Sequence, residues 1–153
     1  MMKMHLEDSE INESILKPTW IDELHKHFIA FYENIDKTKS KILDLKDNWD
    51  EEGAKSYKKE TWERATEFTK KFCFILWRQT QKLINPPNIL PGPDGSIDIH
   101  WKTAKFDLLI NIAEDPNEPA TFSSDDYGQN AIKGTFDPKK MSQALLSWLL
   151  EFI

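Results

Sequence analysis

Cysteine is nearly missing from this sequence: among 153 residues only Cys73 carries a thiol. An internal disulfide is therefore excluded, and so are thiolate zinc sites and C-x-x-C redox chemistry. Cys73 stands inside "FCFILW", where a lone thiol reads as a small core residue in a reducing compartment. Long apolar runs are lacking as well, and none approaches the roughly 20 residues that cross a bilayer. The opening "MMKMHLEDSEINES" has no apolar centre of the signal-peptide kind. Basic residues are in deficit, 20 Lys and Arg against 26 Asp and Glu, for a net charge of −6. That balance argues against nucleic acid and anionic membrane as partners. There is no G-x-G-x-x-G and no phosphate loop. A cytoplasmic protein without cofactor is the expectation.

Six Trp and nine Phe in a chain of this length argue for one folded domain with a real core. Residues 1–18 are polar and without period, and are expected to form a flexible arm. From Thr19, a cap residue with Asp22 in the capping-box position, a helical stripe runs through Ile21, Leu24, Phe28, Phe31, Ile35, Ile42, Leu45 and Trp49. This is one long helix or one broken near residues 36–40. A second helical pattern holds Trp62, Ala65, Phe68, Phe72, Cys73, Leu76, Thr80 and Leu83, making a helical hairpin over 19–84. "INPPNILPGPDG" stops it and reads as an extended connector and a turn.

The period then changes to two. Ile97, Ile99 and Trp101 share one face, with Asp98, His100 and Lys102 on the other. Phe106, Leu108, Ile110 and Ile112 do the same in the next strand. A tight connection at Thr103-Ala104 pairs Trp101 with Phe106 and His100 with Asp107. "ATFSSD" and "NAIKGTF" continue the sheet, which spans 96–136. A C-terminal helix over 138–153 follows, with Asp137 as cap and Pro138 at its first position. The expected fold is α+β: a long helical hairpin and a C-terminal helix on one face of a 3–4-stranded antiparallel meander, all within one domain, 19–153.

Three constellations are candidates for chemistry. In "LKDNWDEEGAKSYKKETW", an EF-hand register with Gly53 sixth gives Asn48, Asp50 and Glu52 as the first ligands. It fails at the twelfth position, which is Lys59 rather than a bidentate carboxylate. The better reading is a corner: Trp49 plugs the core, Asp50 braces the turn amides and Gly53 supplies backbone freedom. His25 and His27 are two apart on a helix and cannot clamp a metal together. Asp98, His100 and Asp107 on the open sheet face form half of a hydrolytic triad or a general base. No nucleophile motif accompanies them. A Pro-Asp…Asp/Glu-x-Lys nuclease core is also incomplete, because "PDGSIDIHWK" has His100 where the Lys is needed.

Taken together, "NWDEEGAKSYKKETWERA" and the later "PGPDGSIDIHW" resemble a widespread family of small uncharacterised prokaryotic proteins. Its pattern is W-D-x-x-G-A, a helix, a proline-rich stretch, P-D-G-x-I-x-I-x-W and a hydrophobic strand. Here the matching residues are Trp49, Asp50, Gly53 and Ala54, then Pro91, Pro93, Asp94, Gly95, Ile97, Ile99 and Trp101. The resemblance covers residues 45–134 and implies a shared fold unit of prokaryotic origin, with no reaction attached. The hairpin turn "KTAK" departs from it, lacking the usual Gly. On function, the expectation is a non-enzymatic protein-binding or accessory module, meeting a protein partner or a second copy through an apolar helical surface with Leu146, Leu150 and Ile153. The alternative is a small hydrolase or nuclease using Asp98, His100 and Asp107.

Overall fold

The computed structural model describes residues 19–128 and 130–153, with side chains from Lys26 onward. The expected arm, and the capping roles of Thr19 and Asp22, lie outside the described side chains. The chain divides into two units, residues 1–31 and 32–153, and the boundary falls inside the first helix, Thr19–Asp36 (α1). In the first unit His27, Phe28 and Phe31 cluster on that helix, with ring centroids 5.6 to 6.2 Å apart.

The second unit carries the rest. Of the two readings of the first apolar stripe, the broken helix is the one seen: α1 ends at Asp36 and a short helix, Lys39–Leu43 (α2), follows. The long helix Lys59–Thr80 (α3) then buries Thr61, Trp62, Ala65, Thr66, Phe68, Thr69, Phe72, Cys73 and Leu76, every third or fourth residue. Its buried threonines Thr66 and Thr69 donate back to the carbonyls of Trp62 and Ala65, which satisfies these two hydroxyls within the core. Gln81, in the left-handed conformation (φ 59°), ends the helix and returns its N–H to Trp77 O. Leu83, expected in the helical stripe, lies beyond this cap and is exposed.

Five strands form one antiparallel sheet in sequence order: Asn88–Pro91 (β1), Ile97–Lys102 (β2), Asp107–Ile112 (β3), Ala120–Asp125 (β4) and Ala131–Phe136 (β5). β1 lies in the stretch read as a connector. Prolines there do not forbid a strand, because an edge strand has one side that needs no donors. The β2–β3 hairpin has Ala104–Lys105 as its loop, so Trp101 pairs with Leu108 and His100 with Leu109. The expected register was off by two residues, which keeps every side chain on its face. Thr103 fixes the loop: its hydroxyl accepts from Lys105 N and Phe106 N. Neither Ala104 nor Lys105 has a positive φ, and no glycine is required.

The last helix is Gln143–Leu150 (α4), shorter than expected and capped by Ser142, whose Oγ accepts from Leu145 N at 3.2 Å. Asp137 does not cap it. Its carboxylate takes Lys139 N and its carbonyl takes Lys140 N, closing a separate turn.

All inward sheet residues face the helices on one side, as an α+β layer requires. Phe72 lies 5.8 Å from the ring of Trp101, Phe68 lies 5.2 Å from Phe136, and Phe106 meets Trp148 edge-on at 5.8 Å. Phe72 is fully buried and also stacks on Phe68 at 5.5 Å. Phe72→Ala is therefore expected to cost about 3–5 kcal/mol of unfolding free energy. Urea denaturation checks this, and a loss below about 1 kcal/mol would show that α3 is not the core's main wall.

Candidate functional site

Two places gather the residues singled out by the sequence: the corner between α2 and α3, and the uncovered face of the sheet. The corner is a loop, residues 44–58, in which the backbone turns through positive φ at Asn48, Glu51 and Gly53. Asp47, Asn48 and Asp50 are occupied by the loop's own amides. Asp50 Oδ1 accepts from Glu52 N at 2.9 Å and Ala54 N at 3.0 Å, Asn48 Oδ1 from Gly53 N at 2.7 Å, and Asp47 Oδ1 from Ser56 N at 2.9 Å. These N–H groups favour the ionised carboxylate and hold Asp47 and Asp50 below the ordinary aspartate range. Among the described residues no group of three or more His, Cys, Asp or Glu side chains is placed to hold a metal ion.

The bracing role of Asp50 is seen directly. Trp49, however, does not plug the core: it is 38% exposed, and its indole N–H donates to Lys55 O at 3.2 Å. The ring instead flanks Tyr57, 6.3 Å away, and Tyr57 is the residue that goes inside. Its hydroxyl donates to Gly92 O at 2.7 Å. Gly92 opens the turn Pro93–Gly95, where Asp94 and Gly95 have positive φ and any Cβ on Gly95 would collide with the Glu114 carboxylate. The two halves of the sequence motif thus meet through a residue that sequence reasoning passed over. The one signal for it is a tyrosine set just before a helix, able to bury its ring and keep a partner for its hydroxyl.

The turn leads into the sheet face. Asn111 Nδ2 donates to Ser96 Oγ at 2.7 Å and to Asp98 Oδ1 at 2.8 Å. Beside them His100 Nε2 meets Asp107 Oδ1 at 2.7 Å, diagonally across β2 and β3. Asp98, His100, Asp107 and Asn111 therefore stand together, all half-buried. Desolvation raises the pKa of Asp98, opposed by the Asn111 hydrogen bond and the nearby His100. Trp101, by contrast, is buried on the inner face and donates its indole N–H to Asn85 O at 3.1 Å, which fastens the connector.

Among the described residues no nucleophile is brought to this group. Ser96 Oγ is committed to Pro93 O and Asn111. Ser123 pairs with Leu109, the partner of His100, so it stands two strands from the imidazole, roughly 9–10 Å at the usual strand spacing. Cys73 is buried, and burial pushes its thiol far above its ordinary range. Two hollows lie over β3–β5, of about 360 Å³ beside Asp107, Ser123 and Lys133 and about 570 Å³ beside Leu109, Asn111 and Thr121. His100 and Asp98 line neither.

Of the expected interface residues, Leu146 is 2% exposed and belongs to the chain's own core, while Leu150 and Ile153 are half-buried. No protein-family model, curated protein or solved structure matches this chain.

The carboxylates predict opposing pH effects. Asp47 and Asp50, depressed in the folded state, stabilise it above the ordinary aspartate pKa, and that contribution is lost as pH falls through their lowered values. Asp98, raised in the folded state, does the reverse: its contribution declines as pH rises from the ordinary aspartate pKa through its raised value. Chemical denaturation across acidic pH should show Asp50→Asn flattening the acid limb of the stability curve. Asp98→Asn should gain on the wild type as pH rises through the window above about 3.9. A difference between Asp98→Asn and wild type that stays constant with pH would contradict the assignment.

Proposed function

We propose that this chain is a non-enzymatic protein-binding or accessory module, and that it offers its sheet, rather than an apolar helical surface, to another protein or a second copy. The observation that carries this reading is the outer face of the sheet. Its residues Thr121, Ser123, Lys133 and Thr135 are exposed, and the polar groups at its other end are tied to one another rather than aimed at a reacting atom. Side chains already held in place lose little freedom when a partner docks, which favours binding. The helical alternative loses support because Leu146 is spent in the core. A prokaryotic, cytoplasmic setting is part of the proposal, resting on the W-D-x-x-G-A pattern and the single buried thiol.

A second reading, a small hydrolase or nuclease, is favoured by one contact: the carboxylate of Asp107 on the imidazole of His100. A carboxylate-oriented histidine is half of a general-base pair. The two readings separate cleanly. A photo-crosslinker at Ser123 should give a discrete protein adduct that Leu109→Arg abolishes, whereas the same probe at the exposed helix residue Glu63 should not. Equal adducts from both positions would count against the sheet face. The enzyme reading instead requires turnover of simple esters or phosphodiesters that falls about 100-fold or more in His100→Ala.

A further inference from the structure

The outer sheet face over β3, β4 and β5 carries both signs of charge in a fixed pattern. Asp107 on β3 stands directly opposite Asp125 on β4. Two residues further along, Leu109 stands opposite Ser123, and Ser123 opposite Lys133 on β5. Like charges directly opposite on neighbouring strands destabilise a sheet. One oxygen of each carboxylate is engaged within the chain: Asp107 Oδ1 meets His100 Nε2, and Asp125 Oδ1 accepts from Tyr127 N. Lys133 borders the same hollow of about 360 Å³, yet among the described residues no ion pair joins it to either acid.

The apolar part of this face has a matching shape. Leu109 is the one apolar side chain that β3 turns outward, and it is half-buried. With it, the short side chains of Thr121, Ser123 and Thr135 line the hollow of about 570 Å³. Such a face fits itself. Lys133 and Asp107 lie on opposite sides of β4, and Leu109 and Ser123 are cross-strand neighbours. A two-fold axis in the plane of the face, passing between Leu109 and Ser123, exchanges these groups between copies. Lys133 of each copy then comes over Asp107 of the other, and Leu109 of each over the short Ser123 of the other.

We propose that this face is where two copies of the chain pair, sheet on sheet, about that axis. The proposal rests on the protein-binding reading above and names the second copy as the partner. The mixed charge selects it. A partner of one sign would meet its like either at Lys133 or at the two acids, whereas a copy related by the two-fold brings opposite signs together twice. Leu109 supplies the apolar centre that such a contact needs. The net charge of −6 on each copy opposes association, but exposed charges further apart than about 8 Å are screened at physiological salt.

Sedimentation equilibrium of the full chain tests this. A monomer–dimer equilibrium is expected, and the Ser123 photo-adduct should have the mass of two chains. Lys133 is exposed, so Lys133→Asp leaves the core untouched and should weaken pairing about ten-fold or more. Lys139→Asp, beyond the end of β5, should leave it unchanged. Asp107→Lys should also weaken pairing. Mixing Lys133→Asp chains with Asp107→Lys chains should restore a dimer holding one of each, because every exchanged charge again meets its opposite. A mixture that stays monomeric, with both variants folded by circular dichroism, would overturn the proposal. If Asp107→Lys does not fold, Lys133→Asp decides alone, and a dimer as tight as the wild type's would overturn it. A monomeric wild type whose Ser123 adduct has another mass would overturn the second copy and leave protein binding standing. A monomer without any adduct would remove the broader reading as well.

Discussion

One buried hydrogen bond, from the Tyr57 hydroxyl to the Gly92 carbonyl, ties together parts of the second unit that lie 35 residues apart. The chain between them contains all of α3 and the proline-rich connector, so the bond closes that loop at the point where the chain enters β2. Leaving such a hydroxyl or carbonyl buried without its partner costs about 1–3 kcal/mol. The roles of the corner and turn residues follow from it. Asp50, Asn48 and Gly53 fold the corner so that Tyr57 points inward with Trp49 against its ring, and Asp94 and Gly95 fold the turn that presents Gly92. Motif residues far apart in sequence act as one brace.

The brace reaches the outer face of the sheet through Ser96 and Asn111. Gly92 N donates to Ser96 O, Ser96 Oγ donates to Pro93 O, and Asn111 donates onward to both Ser96 Oγ and Asp98. Asp98 is therefore held half-buried beside the turn, at a cost that its raised pKa records. Arg64 on α3 closes the opposite side by donating to the carbonyls of Ala113 and Glu114 at 2.8 Å each. Polar groups so fully committed to one another make a fixed surface.

Much of this was legible in the sequence, and the misses have physical causes. Period-two alternation in 97–102 and 107–112 located the central hairpin and its buried face, because one buried face imposes that pattern. The register slipped by two because Thr103 replaces a glycine turn with side-chain hydrogen bonds, and no composition rule reads such a loop. β1 was hidden by its prolines, and α4 began late because Asp137-Pro138 and Ser142 are both good starts, of which packing selected the second. His100, Asp98 and Asp107 share one face despite the slip, since residues of one face stay together under any even shift. Tyr57 was missed because its partner is a backbone carbonyl, which residue types do not reveal, and only its place before a helix hinted at it.

The same logic bears on the edges of the sheet. A chain that exposes a strand edge must discourage copies of itself from adding to it, and prolines do this at β1 at the expense of any other partner too. At β5 the restraint is Lys133, with Lys139 and Lys140 just beyond. A lysine leaves the backbone donors in place and penalises only those strands that bring a like charge opposite. It therefore discriminates between partners where proline merely blocks. Ile132 and Phe136 on that edge remain only half-buried, whereas the inward residues of β2, β3 and β4 are buried.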